Sequence, residues 1–140
     1  MKKNIACSIA ILLLYISTFS QVKVPGAVKT AFSNKFPGAT GLKWEKENKS
    51  ELEANFKMNN TDVSANFKLD GGWVETETTI PVADLPAAVK NAIDKKYPGA
   101  NFIQVEKLEK PGGRLLYEAH IKVNGKKKEL VLNEDGSFGE

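Results

Sequence analysis

The segment VPGAVKTAFSNKFPGAT, from Val24 to Thr40, recurs 61 positions later as LPAAVKNAIDKKYPGAN, from Leu85 to Asn101. Pro, Ala, Val, Lys and the closing Pro-Gly-Ala fall at the same places in both copies. A repeated segment forms the same element twice, and a face that one copy cannot bury alone is buried against its neighbour. The chain is therefore predicted to contain two tandem copies of one structural unit, residues 21–80 and 81–140.

Each copy is predicted to open with an amphipathic helix. Its apolar residues recur at the i, i+3, i+4 and i+8 positions that line one helix face: Val28, Ala31, Phe32 and Phe36 in the first copy, and Val89, Ala92, Ile93 and Tyr97 in the second. Pro25 and Pro86 suit the first helical turn, where a missing N–H leaves no hydrogen bond unmade, and Asp84 is positioned to cap the second helix. Pro37 and Pro98 end the helices because proline disfavours the α conformation of the preceding residue.

Beyond each helix, apolar and polar residues alternate with the period of a half-buried strand. Turn-forming pairs such as Asn124-Gly125 and Asp135-Gly136 separate the runs, as hairpins require. The first copy holds four runs, the last from Trp73 to Ile80, whereas the fourth strand of the second copy is short or absent. Since only one face of the strands is apolar, the helices are expected to cover that face and leave a polar one open. The predicted class is α+β, made of two tandem helix-plus-antiparallel-strand repeats.

The first 20 residues have the composition of a secretory signal peptide. Two lysines precede an apolar run from Ile5 to Ile16, and Thr18 and Ser20 supply small residues ahead of a cleavage site before Gln21. The apolar run is shorter than the roughly 20 residues that cross a bilayer. No stable membrane insertion is expected after cleavage, and the mature protein, residues 21–140, is expected in the periplasm or outside the cell.

The mature chain has no basic excess and no cysteine. Removing the signal peptide lowers the count of Lys and Arg from 20 to 18, against 17 acidic residues, and also removes the single cysteine, Cys7. Nucleic-acid binding needs clustered Lys and Arg, so no nucleic-acid partner is predicted. Without disulfides, a single domain of about 120 residues must hold together by packing alone.

Three short motifs occur in both copies: P-x-A-V-K-x-A … [FY]-P-G-A in the helix, and E-A-x-[FI]-K and D-G-x-[WF] in the strands. With these motifs the mature chain resembles the PepSY-like, beta-lactamase-inhibitor-like family of exported bacterial proteins. The resemblance implies one curved antiparallel sheet, with the helices packed on its convex face and the concave face turned towards partners. The family's inhibitor protein carries disulfides and enzyme-inserting loops that this chain lacks, so beta-lactamase inhibition is assigned to no residue.

The residue inventory argues against catalysis, and the protein is predicted not to be an enzyme. A catalytic nucleophile needs a base and an orienting group, whereas the mature chain has one His and no Cys. His120 falls on the polar side of its strand and is interpreted as an exposed strand residue. Glu53 and Glu118 occupy equivalent places and could share acid and base roles, but glutamates on a solvated strand face ordinarily serve solubility.

No cofactor or metal site is predicted. Zinc favours His and Cys at close spacing, which this sequence does not contain. The turns at Asp70-Gly71-Gly72 and Glu134-Asp135-Gly136 lack the dense oxygen ligands of a calcium loop. Glu75, Glu77 and Asp84 could form a loose calcium site, but acids at alternate positions are interpreted as a polar strand face.

Two hypotheses from different classes remain open. In the first, the protein is an exported, non-enzymatic module that binds a protein or peptide partner of the cell envelope on its open sheet face, as an inhibitor binds a hydrolase. The second hypothesis is a periplasmic carrier or sensor for a small ligand or cation, which a closed pocket between sheet and helices would favour.

The first hypothesis assigns partner binding to outward positions of both copies and to one aromatic anchor: Glu53, Asn55, Lys57, Trp73, Glu118, His120 and Lys122. Trp73 lies outward if Val74, Thr76 and Thr78 face the helices. A packed hairpin aromatic is the other interpretation of this residue.

Overall fold

The structure is a computed structural model that describes residues 22–139. The predicted signal peptide at residues 1–20 lies outside the described residues. The elements along the chain are α1 (Gly26–Lys35), β1 (Thr40–Lys46), β2 (Glu51–Met58), β3 (Thr61–Lys68), β4 (Trp73–Thr79), a 3₁₀ turn (Val82–Asp84), α2 (Ala87–Lys96), β5 (Asn101–Lys110), a short turn (Pro111–Gly113), β6 (Arg114–Val123) and β7 (Lys126–Asn133). Over the described range, no helix combines the length and apolar character needed to cross a membrane.

All seven strands form one antiparallel sheet in which each strand pairs with its neighbours in the chain, from β1 to β7. The β2–β3 and β6–β7 hairpins turn at Asn59-Asn60 and Asn124-Gly125, whose positive φ angles suit tight hairpin turns. After β7, Phe138 makes only an isolated bridge to Leu132. The predicted α+β class and the expected shortness of the last strand are confirmed.

Both helices pack on the same face of this sheet. Val28 and Phe32 of α1 are buried in one cluster with residues of β2 and β3, and Val89 and Ile93 of α2 are buried in a second cluster with residues of β5 to β7. Directly paired residues of adjacent strands point to the same side. The chain of pairs Val63, Thr78, Lys107, Tyr117 and Leu132 joins the two clusters across the sheet. The opposite side therefore carries neither helix.

The cluster beneath α1 is aromatic. Phe32 meets Phe56 edge to face with ring centroids 5.0 Å apart, and it meets Trp44 in the same manner at 5.5 Å. The rings of Phe36 and Phe56 are tilted against each other, with centroids 4.7 Å apart. Edge-to-face contacts of this kind add to the free energy gained by burying the rings. The helical stripe predicted from the sequence is thus the surface that attaches α1 to the sheet.

The prolines that follow the helices end them as expected, but the predicted cap at Asp84 does not form. Pro25 and Pro86, predicted in the first helical turns, are instead the N-cap residues just before them. The helices stop at Lys35 and Lys96, just before the residues that precede Pro37 and Pro98. Asp84 makes no side-chain cap to α2, so that prediction is wrong. Proline at position 86 keeps Leu85 extended, at φ −62° and ψ 138°, which separates Asp84 from the first helical turn.

Two glycines allow a β-turn to contact the backbone of each helix. A Cβ atom on Gly71 would lie 2.8 Å from the carbonyl oxygen of Ala27, and one on Gly136 would lie 2.5 Å from that of Ala88. The φ angles of these glycines are +93° and +84°, a region that other residues rarely adopt. The turns after β3 and β7 therefore press against the first turns of α1 and α2.

Candidate binding site on the open face of the sheet

The side of the sheet without helices, called here the open face, carries polar side chains in rows that cross several strands. One row contains Asn55, Ser64 and Glu77, which are paired from β2 to β4. A neighbouring row contains Thr79, Glu106 and Glu118, which are paired from β4 to β6. Half-buried polar groups thus meet where β4 and β5 lie side by side in the middle of the sheet.

Carboxylates occupy the middle of the open face, and basic side chains lie around them. We call the four central glutamates of β4, β5 and β6 the acidic centre: Glu75, Glu77, Glu106 and Glu118. Six residues nearer to strand ends or sheet edges form the basic rim: Lys43, Lys57, Lys68, Arg114, Lys122 and Lys127. The middle of the open face is therefore negative, whereas its periphery combines these basic side chains with five acidic ones: Glu45, Glu51, Glu53, Asp62 and Glu129.

Burial and neighbouring carboxylates disfavour the charged form of Glu77. Its Oε2 accepts a hydrogen bond from Ser64 Oγ at 3.3 Å. Burial, followed by the negative charges of Glu106, Glu118 and Glu75, raises the pKa of Glu77 from 4.5 to about 7. Its carboxyl group therefore still holds a proton on much of the protein population near neutral pH.

Glu75 differs from Glu77 because a cation lies beside it. Lys110 Nζ is 2.5 Å from Glu75 Oε2, and Asn66 Nδ2 donates to Glu75 Oε1 at 3.3 Å. The two glutamates share one strand face, yet only Glu75 has an ion pair with a lysine. The two carboxylates thus differ because Lys110 lies beside Glu75.

Glu106, Glu118 and His120 form a compact group at one side of the acidic centre. His120 Nε2 lies 2.7 Å from Glu118 Oε1 and 3.8 Å from Glu106 Oε2. The Glu106 and Glu118 side chains are each 13% exposed, whereas that of His120 is 36% exposed. Burial and the charge of Glu129 raise the pKa of Glu118, while His120 acts in the opposite direction.

Glu77 borders two clefts on the open face. The larger one has a volume of about 480 Å³, and its walls include Glu53, Asn55, Ser64 and Glu106. A cleft of about 300 Å³ on the other side of Glu77 includes Lys110, Arg114, Leu116 and Glu118 in its walls. Both clefts lie on the sheet surface and not between the sheet and the helices.

The structure places six of the seven sequence-predicted binding residues on the open face, at different distances from its middle. Glu53, Asn55 and Lys57 of β2 border the cleft of about 480 Å³. Glu118 and His120 belong to the compact group on β6, and Lys122 lies exposed near the end of that strand. The two sets are separated by β3, β4 and β5.

The outward placement considered for Trp73 is wrong. The pairing of β3 with β4 shifts between Asn66 and Phe67, so Phe67 pairs with Trp73 while Asn66 pairs with Glu75. Val74 is the extra residue of this bulge, and an extra residue reverses the side to which the preceding residue points. Trp73 consequently packs against the cluster beneath α1, with Lys35 Nζ 3.5 Å from its ring centroid.

Sequence reasoning missed the residues in the middle of the open face. The sequence predicts no role for Glu106, Thr79 and Gln104, and it indicates Glu77 only as part of a polar strand face. Their proximity results from the pairing of β4 with β5, which joins the first half of the chain to the second. The alternation of Glu75 and Glu77 on the fourth strand indicates that one face of that strand is acidic. It does not indicate which residues of other strands lie beside them.

Comparison with known proteins identifies relatives of the same fold. A protein from Bacteroides eggerthii DSM 20697, described as one of the "putative periplasmic proteins", aligns with a TM-score of 0.77 and 23% identity over 85% of this chain and 88% of its own. A DUF2874 family protein from Bacteroides uniformis ATCC 8492 aligns with a TM-score of 0.76 and 23% identity, over 84% of this chain and 88% of its own. A BLIP-like protein from Bacteroides fragilis NCTC 9343 aligns with a TM-score of 0.72 and 24% identity, over 86% of each chain. No curated protein matches this sequence.

The sequence also matches a family model, described as "Putative beta-lactamase-inhibitor-like, PepSY-like", over residues 52–139. The matched range begins in β2 and extends to the end of the described residues, so it includes most of the sheet and all of α2. It covers more than half of the chain. The protein therefore belongs to the PepSY-like, beta-lactamase-inhibitor-like family.

Proposed function

We propose that the protein is an exported, non-enzymatic binding module that holds a protein or peptide partner on its open face. The observation that carries this proposal is the charge arrangement of that face, in which an acidic centre lies among peripheral charges of both signs on the side of the sheet opposite α1 and α2. Complementary charge patterns steer partners together and fix their orientation. Membership of a beta-lactamase-inhibitor-like family supports the same class of function.

The chemistry of the face indicates which partner would fit. A partner segment with a central Lys or Arg side chain would stabilise the ionised form of Glu77. Acidic groups on either side of that segment would meet the basic rim. An envelope hydrolase with such a segment near its active site is the partner that an inhibitor-like role calls for.

Export and duplication belong to the same proposal. The similar structure from Bacteroides eggerthii is described as periplasmic, in agreement with the signal peptide predicted at residues 1–20. We further propose that the curved sheet arose from two equivalent halves. In support, Lys35 lies over Trp73 as Lys96 lies over Phe138, with distances to the ring centroids of 3.5 and 3.8 Å.

A carrier or sensor for a cation is the second candidate function. It is favoured by one observation, the convergence of two carboxylates and the imidazole of His120 on adjacent strands. The two clefts bordered by Glu77 give less support to a small organic ligand, because they lie on the surface rather than between sheet and helices.

The test of the leading proposal compares charge reversal inside and outside the acidic centre. Residues 21–140 are immobilised and exposed to envelope extract, and captured proteins are identified and then titrated individually. Glu77→Lys should weaken binding of the captured partner at least about tenfold, because like charges then face each other. The matched control is Glu47→Lys, at an exposed position after β1. Equal affinity of both variants and the parent, with folding intact, would reject the open face as the binding surface.

A further inference from the structure

Strand pairing brings three metal-binding side chains together from two separate parts of the sequence. Glu118 and His120 are two residues apart on β6, so both side chains point to the open face. Glu106 on β5 is the direct antiparallel partner of Glu118. One ligand atom from each of the three residues lies within 4.8 Å of the other two. The group is thus preassembled on two hydrogen-bonded strands rather than on loops.

The interatomic distances are close to those of a first-row transition-metal site. Zinc binds nitrogen and carboxylate oxygen at about 2.0 to 2.2 Å, which separates tetrahedral ligand atoms by about 3.4 Å. The two distances from His120 Nε2, 2.7 Å to Glu118 and 3.8 Å to Glu106, lie on either side of that value. Both distances are within 1 Å of the tetrahedral value, and the third separation, between ligand atoms of Glu106 and Glu118, is no more than 4.8 Å.

Side chains outside the three ligands orient one of the carboxylates. Glu106 Oε1 accepts hydrogen bonds from Gln104 Nε2 at 2.8 Å and from Thr79 Oγ1 at 3.4 Å. These donors leave Oε2, the oxygen nearer to His120, available for coordination. Metal ligands in proteins are characteristically held by such outer hydrogen bonds. An accidental ion pair between Glu118 and His120 would not require Glu106 to be oriented in this way.

The group itself carries more negative than positive charge. Glu129, the partner of His120 on β7, adds a further carboxylate, while Lys127 and Lys128 border the same cleft as His120. Lys110 forms its ion pair with Glu75. A single imidazolium can offset at most one of the carboxylate charges, whereas a divalent ion offsets two.

We propose that Glu106, Glu118 and His120 bind a divalent transition-metal ion of the zinc class on the open face. Two carboxylates and one imidazole provide three protein ligands and leave a fourth position for water or for a group from a partner. The site does not depend on the proposed protein partner, since all three ligands belong to this chain.

The experiment uses tag-free mature protein, residues 21–140, freed of metal and titrated with zinc chloride in a calorimeter. The chain has one His, and its one Cys lies in the signal peptide, so no second imidazole or thiolate competes. One saturable site per chain is expected. His120→Gln and Glu118→Gln should each weaken zinc binding at least about tenfold. Glu47→Gln, which removes an exposed carboxylate after β1, should leave the affinity unchanged.

A second measurement reports on the unmutated protein. In proton NMR, zinc should shift the ring signals of His120, which are the only imidazole signals of the chain, and the shift should saturate at one equivalent. Absence of saturable binding, or binding that survives His120→Gln at parent affinity, would overturn the proposal. Both results would leave an ion pair as the role of these residues. Equal binding of calcium and zinc would overturn the assigned metal class.

Discussion

Replacing Glu77 with glutamine should stabilise the protein at neutral and alkaline pH and leave it nearly unchanged in mild acid. The pKa of Glu77 is raised from 4.5 to about 7 in the folded protein. Between these two values the folded chain keeps a proton that the unfolded chain releases, so the stability of the parent falls as pH rises through this window. Above about pH 7 the full penalty of the buried charge is present. Glutamine cannot ionise and therefore avoids it.

The size of the effect follows from the same pKa difference. A change from 4.5 to about 7 corresponds to about 3 kcal/mol if solvent screening is ignored. Glu77 is only half-buried and accepts a hydrogen bond from Ser64 that glutamine keeps less well. Allowing for screening and for that bond, we expect Glu77→Gln to raise the free energy of unfolding by about 1 to 2 kcal/mol at pH 8. At pH 4 the change should be close to zero.

Urea unfolding of parent and variant at pH 4 and pH 8, with chelator present, measures both free energies of unfolding. Glu53→Gln is the matched control, since it removes a carboxylate from the same face at a distance from the acidic centre. We expect this control to change stability by no more than about 0.5 kcal/mol at either pH. The reasoning is refuted if Glu77→Gln gains nothing at pH 8, or if it gains equally at both pH values.

Two further predictions concern the core and the N-terminus. Phe32→Ala and Ile93→Ala should each lower the free energy of unfolding by about 2 to 5 kcal/mol, because both side chains are buried between helix and sheet; losses below about 1 kcal/mol in denaturant titrations of both variants would contradict this packing. The native protein should begin at Gln21, and an intact mass that retains residues 1–20 would show that the predicted signal peptide is not removed.

The helices and most strands could be predicted because their periodicity is local. The apolar stripes of α1 and α2 and the prolines that follow them determine which residues are buried and where each helix ends. Alternation along β2 and β6 likewise predicts which side chains point outward. Local patterns of this kind report the environment of a residue without reference to its neighbours on other strands.

Features that depend on register could not be predicted in the same way. The bulge at Val74 turns Trp73 to the helix side, although the alternation of Glu75 and Glu77 is regular. The sequence does not indicate that Glu106 lies beside Glu118, since 12 positions separate the two residues and only hairpin pairing brings them together. The spacing of residues along the chain does not reveal the candidate metal ligands, because they converge across two paired strands.

The contacts of Gly71 and Gly136 have a consequence for how the chain acquires its structure. Each contact joins the first turn of a helix to a turn that follows three further strands, between positions 27 and 71 and between positions 88 and 136. Contacts between such distant positions slow folding, because long loops must close before the contacts form. We therefore expect the hairpins to form before the helices dock. During synthesis, the apolar stripe of α1 can be buried only after β2 and β3, which supply its packing partners, have been made.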